Sequence, residues 1–146
     1  TVEELVQCFL DQVLNPRILP AARDLLESHR ARGDELVIVS ATGSHLVEPI
    51  AGRLEVDHVL AVDVERVEGF ITGYLTGIPT FREGKVARVQ AWARQHGVDY
   101  RAAHFYSDSH NDLPLLEAVS HPVAVDPDPH LRRIAAERNW PVVSLR

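Results

Sequence analysis

The sequence predicts an α/β protein built on a doubly wound, Rossmann-like parallel sheet. Three observations point there. Leu36-Val37-Ile38-Val39 is a continuous apolar run rich in β-branched residues, not an alternating one. Such runs belong to strands buried on both faces, as in a parallel sheet covered by helices. Helical and strand-like segments alternate from there to the end of the chain. Polar clusters follow directly after two of the apolar runs, where open parallel sheets hold their ligands.

Taken in order, Val2, Leu5, Val6, Phe9 and Val13 recur at helical spacing, and Asn15-Pro16 stops that helix. Pro20 suits the first turn of a second helix, with a stripe of Ala22, Leu25, Leu26 and His29 ending at Gly33. After the strand at 36–39, Ser44 can cap a helix running to about Arg53. Val56 to Val62 is strand-like, and Val64 to Leu75 alternates around Glu68-Gly69, the pattern of a small hairpin. Glu83 to His96 is a helix with Val86, Val89, Trp92 and Ala93 inward, closed by Gly97. Strands at 103–107, 122–125 and 142–145 alternate with helices at 113–119 and 128–138. No internal repeat and no linker is visible, so one domain is expected.

A chain of 146 residues can bury a real core, and 45% apolar with 25% charged residues is a folded composition. The net charge of −6 argues against a general nucleic-acid or membrane-surface binder. No apolar stretch approaches the roughly 20 residues of a membrane span. The single cysteine, Cys8, cannot form an internal disulfide, which fits a reducing, cytoplasmic compartment; its surroundings suggest a small buried hydrophobe. Thr1-Val2-Glu3-Glu4-Leu5 opens within a helical pattern, and the chain has no Met. A boundary within a longer protein is expected.

Three segments carry candidate chemistry. In Val39-Ser40-Ala41-Thr42-Gly43-Ser44, a hydroxyl at a strand exit precedes small residues and a helix start, a cradle for an anion. Ser44 reads as a cap only. In Phe81-Arg82-Glu83-Gly84-Lys85, Lys85 opposes the helix dipole at a cost of about 0.3–1 kcal/mol, a sign that a bound phosphate would reverse. Arg82 is a weaker candidate for the same task. In Tyr106-Ser107-Asp108-Ser109-His110-Asn111-Asp112, two aspartates lie four residues apart at a strand exit. Carboxylates this close repel unless one is protonated or a cation lies between them. An oxygen-only set suits Mg²⁺, which keeps several waters and takes one or two carboxylates plus a phosphate oxygen. The bland alternative has Asp112 complementing a helix N-terminus and Asp108 decorating a loop. His110 has no metal-type partner at useful spacing and reads as a rim residue.

These segments, in this order, resemble the second, third and fourth motifs of phosphatases of the haloacid dehalogenase superfamily. The runs at 81–86, 106–116 and 122–132 are similar to the branch containing the phosphoserine phosphatases, with likeness from about Ile18 to the C-terminus. The resemblance implies a Mg²⁺-dependent phosphomonoester hydrolase acting on a small phosphorylated metabolite such as phosphoserine or histidinol phosphate. It implies that Ser40 hydrogen-bonds the transferring phosphoryl group, with Thr42 and Gly43 beside it, and that Lys85 neutralises its charge. Asp108 would ligate Mg²⁺, Asp112 would orient the metal's waters, and Asn111 would support the loop or the phosphate. The family proceeds through an aspartyl-phosphate, with a second aspartate as acid and base.

The first motif of that family, Asp-x-Asp-x-Thr after an apolar strand, is absent. Asp126-Pro127-Asp128 comes after the fourth motif, lacks the Thr and has proline in its middle, so it is rejected as the nucleophile. The expectation is a core at 15–146 that lacks its N-terminal strand, with residues 1–14 the remnant of a helical cap. In the family the missing strand lies between those ending at Ser40 and Ser107. A preceding segment or a companion chain should therefore complete the sheet, and the chain by itself should be inactive. The alternatives are a catalytically silent fragment that binds phosphate or a partner, and a receiver-type α/β domain, whose acidic pair would come earlier. No dinucleotide or P-loop glycine signature is present.

Overall fold

The computed structural model describes Thr1–Arg146. Its strands form two three-stranded sheets, one in each of two units, Thr1–Pro79 and Thr80–Arg146. In the first unit α1 (Val2–Phe9) runs into a π-helical turn at Leu10–Leu14 and a 3₁₀ turn at Asn15–Arg17, where Pro16 ends it. A capping box of Thr1 and Glu4 starts α1. Val6 and Leu10 are the buried positions, one helical step of four apart, while Val2, Leu5, Phe9 and Val13 stay exposed. Cys8 lies two residues from each buried position, about 200° round the helix, and is exposed rather than buried. α2 (Pro20–Ala31) follows with Pro20 in its first turn and His29 buried.

β1 (Val37–Gly43) pairs in parallel with β2 (His58–Val67), and α3 (Ser44–Arg53) connects them. The register runs Val39↔Leu60 and then Gly43↔Val62, so extra residues bulge out at 40–42. Ser44 does not cap α3: Gly43 holds the N-cap position with no side-chain bond, and Ser44 is the first helical residue. β2 turns back into β3 (Phe70–Thr76) through Glu68-Gly69, with Val67 opposite Phe70. Both turn residues have positive φ, 51° and 83°, as a two-residue hairpin loop with right-handed strand twist requires.

In the second unit α4 (Glu83–His96) ends at Gly97 in the left-handed conformation, φ 65°. β4 (His104–Ser107), β5 (His121–Val125) and β6 (Val142–Val143) form a parallel sheet in that order, connected by α5 (Leu113–Ala118) and α6 (Pro129–Glu137). Its core is Leu116, Ala124, Leu131 and Ala135, with Phe105, Leu113 and Trp140 packed against it. β1 and β4 are each an edge strand of their sheet. The β-branched run of β1 is only partly buried on this open edge. No helix is long and apolar enough to cross a membrane.

Candidate active site

The strand β4 delivers Ser107 to the edge of the buried core, and the chain then turns through a 3₁₀ segment, His110–Asp112, into α5. Small hydroxyl residues build that turn. The Ser109 N–H donates to Ser107 Oγ (3.1 Å), and the Asn111 N–H donates to Ser109 Oγ (3.2 Å). The Asp112 N–H donates to the Ser109 carbonyl (3.1 Å). This folding aims the Asp112 side chain back at the strand end. Ser107 Oγ donates to Asp112 Oδ2 at 2.6 Å, and Lys85 Nζ sits 2.7 Å from Asp112 Oδ1. The two charged side chains are only 10% and 11% exposed. A buried ammonium without a partner would be expensive, so the carboxylate is the reason Lys85 can occupy the inner face of α4.

Asp108 has the opposite environment. Its residue is exposed, while its backbone carbonyl accepts from the Asp128 N–H at 2.9 Å. One aspartate is neutralised and fixed; the other is left to solvent. No group of three or more His, Cys, Asp or Glu side chains is placed to hold a metal ion by itself. Oxygen donors of this kind suit a hard cation such as Mg²⁺ better than a softer metal; Asp108 has its carboxylate open to solvent, while both oxygens of Asp112 are taken by Lys85 and Ser107.

Asn111 Oδ1 lies 3.5 Å from an Arg82 guanidinium nitrogen. Arg82 has φ 48° and stacks its guanidinium on Phe81, 5.1 Å from the ring centroid. His110 faces Asp128 Oδ2 with both its N–H (2.8 Å) and its ring Nδ1 (2.9 Å). Burial pushes the Asp128 carboxyl up, but the N–H groups of Leu131 and His110 and the His110 ring outweigh it and hold it at about 2. Asp126 accepts from the Leu145 N–H at 3.1 Å. Both carboxylates of Asp126-Pro127-Asp128 are thus occupied in joining loops.

In the first unit, the Thr42 N–H donates to Ser40 Oγ at 3.0 Å, leaving the Ser40 proton free to donate. Gly43 cannot carry a side chain without disturbance, since a Cβ there would lie 2.5 Å from the His45 ring. His45 Nδ1 is buried with no hydrogen-bond partner, and the same holds for Thr80 Oγ1 in the second unit. The structure brings Lys85, Asp112 and Asn111 together with Asp108 around one loop of the second unit; Ser40, Thr42 and Gly43 occupy the bulged end of β1 in the first. Sequence reasoning missed Ser107 and Asp128. A hydroxyl at a strand exit, the signal used for Ser40, was available for Ser107 too.

Comparison with known proteins adds the relationship. The family model for haloacid dehalogenase-like hydrolases matches residues 1–117. The chain is 37% identical over 142 residues to a histidinol-phosphatase of Neisseria meningitidis, covering 94% of this chain and 64% of that one. It is 34% identical over 136 residues to the phosphoserine phosphatase SerB1 of Mycobacterium tuberculosis, covering 93% and 44%. A crystal structure of a Bordetella pertussis protein of unknown function matches with TM-score 0.94 and 42% identity, over 98% of this chain and 66% of that one. The chain therefore spans about half to two-thirds of the length of these relatives.

Proposed function

We propose that this chain, which belongs to the haloacid dehalogenase-like hydrolase family, is the core of a Mg²⁺-dependent phosphatase acting on a small phosphorylated metabolite. One observation carries the reading: the buried Lys85–Asp112 ion pair, locked by Ser107, beside an uncommitted Asp108 at the exit of β4. A polar cluster of this cost at a strand exit has no packing purpose that an apolar pair would not serve as well. The names of the relatives, a histidinol-phosphatase and a phosphoserine phosphatase, support substrates with a phosphorylated hydroxyl on an amino-acid-derived skeleton.

In this reading Asp108 holds the cation and Asp112 orients its waters. When bound, Mg²⁺ supplies positive charge against the phosphoryl oxygens. Lys85, already fixed by Asp112, presents its ammonium to the same oxygens without reorganisation. In the first unit the Ser40 hydroxyl accepts from the Thr42 N–H and keeps its own proton, so it can donate to an anion. Asn111 steadies the loop. The nucleophile is an aspartate outside residues 1–146, forming an aspartyl-phosphate that water hydrolyses. The segment that carries it also supplies a strand to a free sheet edge, and the enzyme works in the cytoplasm.

The test is phosphate release by the full-length protein from a panel of small phosphomonoesters, with and without Mg²⁺. Asp108→Asn should lower kcat/KM by about 100-fold or more, the loss expected when a charge that acts in the transition state is removed. Its melting temperature should hardly move, because the side chain makes no bond in the fold. Undiminished turnover by that variant would remove the metal assignment. A full-length protein that binds phosphate but hydrolyses no phosphomonoester would favour the silent binding module.

A further inference from the structure

Asp128 belongs to a different loop from the aspartates just described, yet it is bonded to theirs at three points. Its N–H donates to the Asp108 carbonyl at 2.9 Å. Its Oδ2 accepts from the His110 N–H at 2.8 Å and from the His110 ring Nδ1 at 2.9 Å. Its remaining oxygen, Oδ1, accepts from the Leu131 N–H at 2.7 Å and caps α6. A carboxylate oxygen accepts only, so the bond to the ring requires the proton on Nδ1. The His130 ring stacks on the His110 ring, at a centroid distance of 4.9 Å and 27° between planes.

A helix cap needs one oxygen. The second oxygen and the backbone N–H are committed entirely to the loop that carries Asp108, and capping does not account for them. We propose that Asp128 is a positioning residue: by fixing the backbone at Asp108 and His110 it holds the Asp108 carboxylate ready for the cation, and so sets the affinity for Mg²⁺. A loop ordered in advance loses less freedom when the ion binds, and outer partners of this kind orient the groups that touch the metal. The proposal rests on the assignment of Asp108 to Mg²⁺ made above.

The experiment is calorimetric titration of Mg²⁺ into the full-length protein and three variants. Asp128→Ser keeps a short cap oxygen for Leu131 but cannot reach His110; it should weaken Mg²⁺ about 10-fold, the lower end of what lost outer partners cost. His110→Ala leaves the cap whole and removes only the ring bond, so a smaller weakening of about 3-fold is expected. Asp99→Ser is the control. Asp99 also caps a helical turn, through the Arg101 N–H, and bonds no residue of the 107–112 loop, so its affinity should equal wild type. A folded Asp128→Ser protein with wild-type affinity overturns the proposal while leaving the Asp108 assignment standing. Should Asp128→Ser fail to fold, His110→Ala decides, and wild-type affinity there overturns it. If the unaltered protein binds no Mg²⁺, the Asp108 assignment falls and takes this one with it.

Discussion

Replacing Lys85 with methionine keeps an unbranched side chain of similar length and removes the ammonium, leaving Asp112 buried with Ser107 as its remaining partner. At 2.7 Å the gross attraction of the pair is about 6 kcal/mol with an effective dielectric constant of about 20. Part of that offsets the desolvation of both groups, which the variant does not recover for the carboxylate. The net loss should therefore be about 3–5 kcal/mol, the range for removing one partner of a buried pair. For a chain of this size that corresponds to a fall in Tm of roughly 10 °C or more. The second half of the cycle separates charge from packing. Combining Lys85→Met with Asp112→Asn removes the stranded charge, and the amide oxygen can still accept from Ser107, so at least about 2 kcal/mol should return. The assay is equilibrium urea unfolding of the full-length protein, its single variants and the double variant. A Lys85→Met loss below about 1 kcal/mol would refute the reasoning, because no exposed surface pair costs more than that. So would a double variant no more stable than Lys85→Met.

Other expectations follow from the same structure. The depressed Asp128 carboxyl, about 2 in the fold against an ordinary 3.8, adds stability above about pH 4 that is lost as pH falls toward 2. With the side chain 31% exposed, this is worth about 1–2 kcal/mol after allowance for screening. Asp128→Ser should flatten the acid limb of the stability curve by that amount, and an unchanged limb would refute it. Thr80 is fully buried and its hydroxyl has no partner. Thr80→Val should raise stability by about 1 kcal/mol by removing an unmet polar group; a loss in thermal unfolding would show that another segment bonds that hydroxyl. Finally, residues 1–146 expressed alone should associate or melt broadly in calorimetry, since β1 and β4 leave backbone groups without a neighbour. A sharp monomeric transition would refute that.

The regular elements were legible because local chemistry decides them. The β-branched run fixed β1, Glu68-Gly69 fixed the hairpin and Gly97 fixed the end of α4. The buried face of α1 was not legible, since Val2, Leu5, Val6, Phe9 and Val13 all fit a helical period and only contact with the rest of the unit selects Val6 and Leu10. Cys8 was misjudged for the same reason. At the site, Lys85 could be recognised by its unfavourable place in a first helical turn, and Asp108 and Asp112 by their spacing. That Asp112 and not Asp108 receives the ammonium could not be read, because the partner lies 27 residues away on another helix. Asp128 carried only a capping signal; its bonds to a residue 18 positions earlier come from the parallel register of β4 and β5.

The buried contact with Lys85, not the strand register, makes the two aspartates differ. Lys85 cancels Asp112, so within the second unit these three side chains present a net charge of one negative unit, on Asp108. A single free carboxylate holds Mg²⁺ poorly, because the ion sheds its waters reluctantly and gains little from one unit of charge in water. A second free oxygen ligand has to come from substrate phosphate or from another carboxylate. β4 meanwhile ends at this loop with one edge unpaired. A strand added to that edge in parallel would end where Ser107 ends, since parallel strands present their carboxyl ends together. One addition, a strand that finishes in an aspartate, would meet both the backbone deficit and the charge deficit, and the segment proposed above to carry the nucleophile would be such a strand.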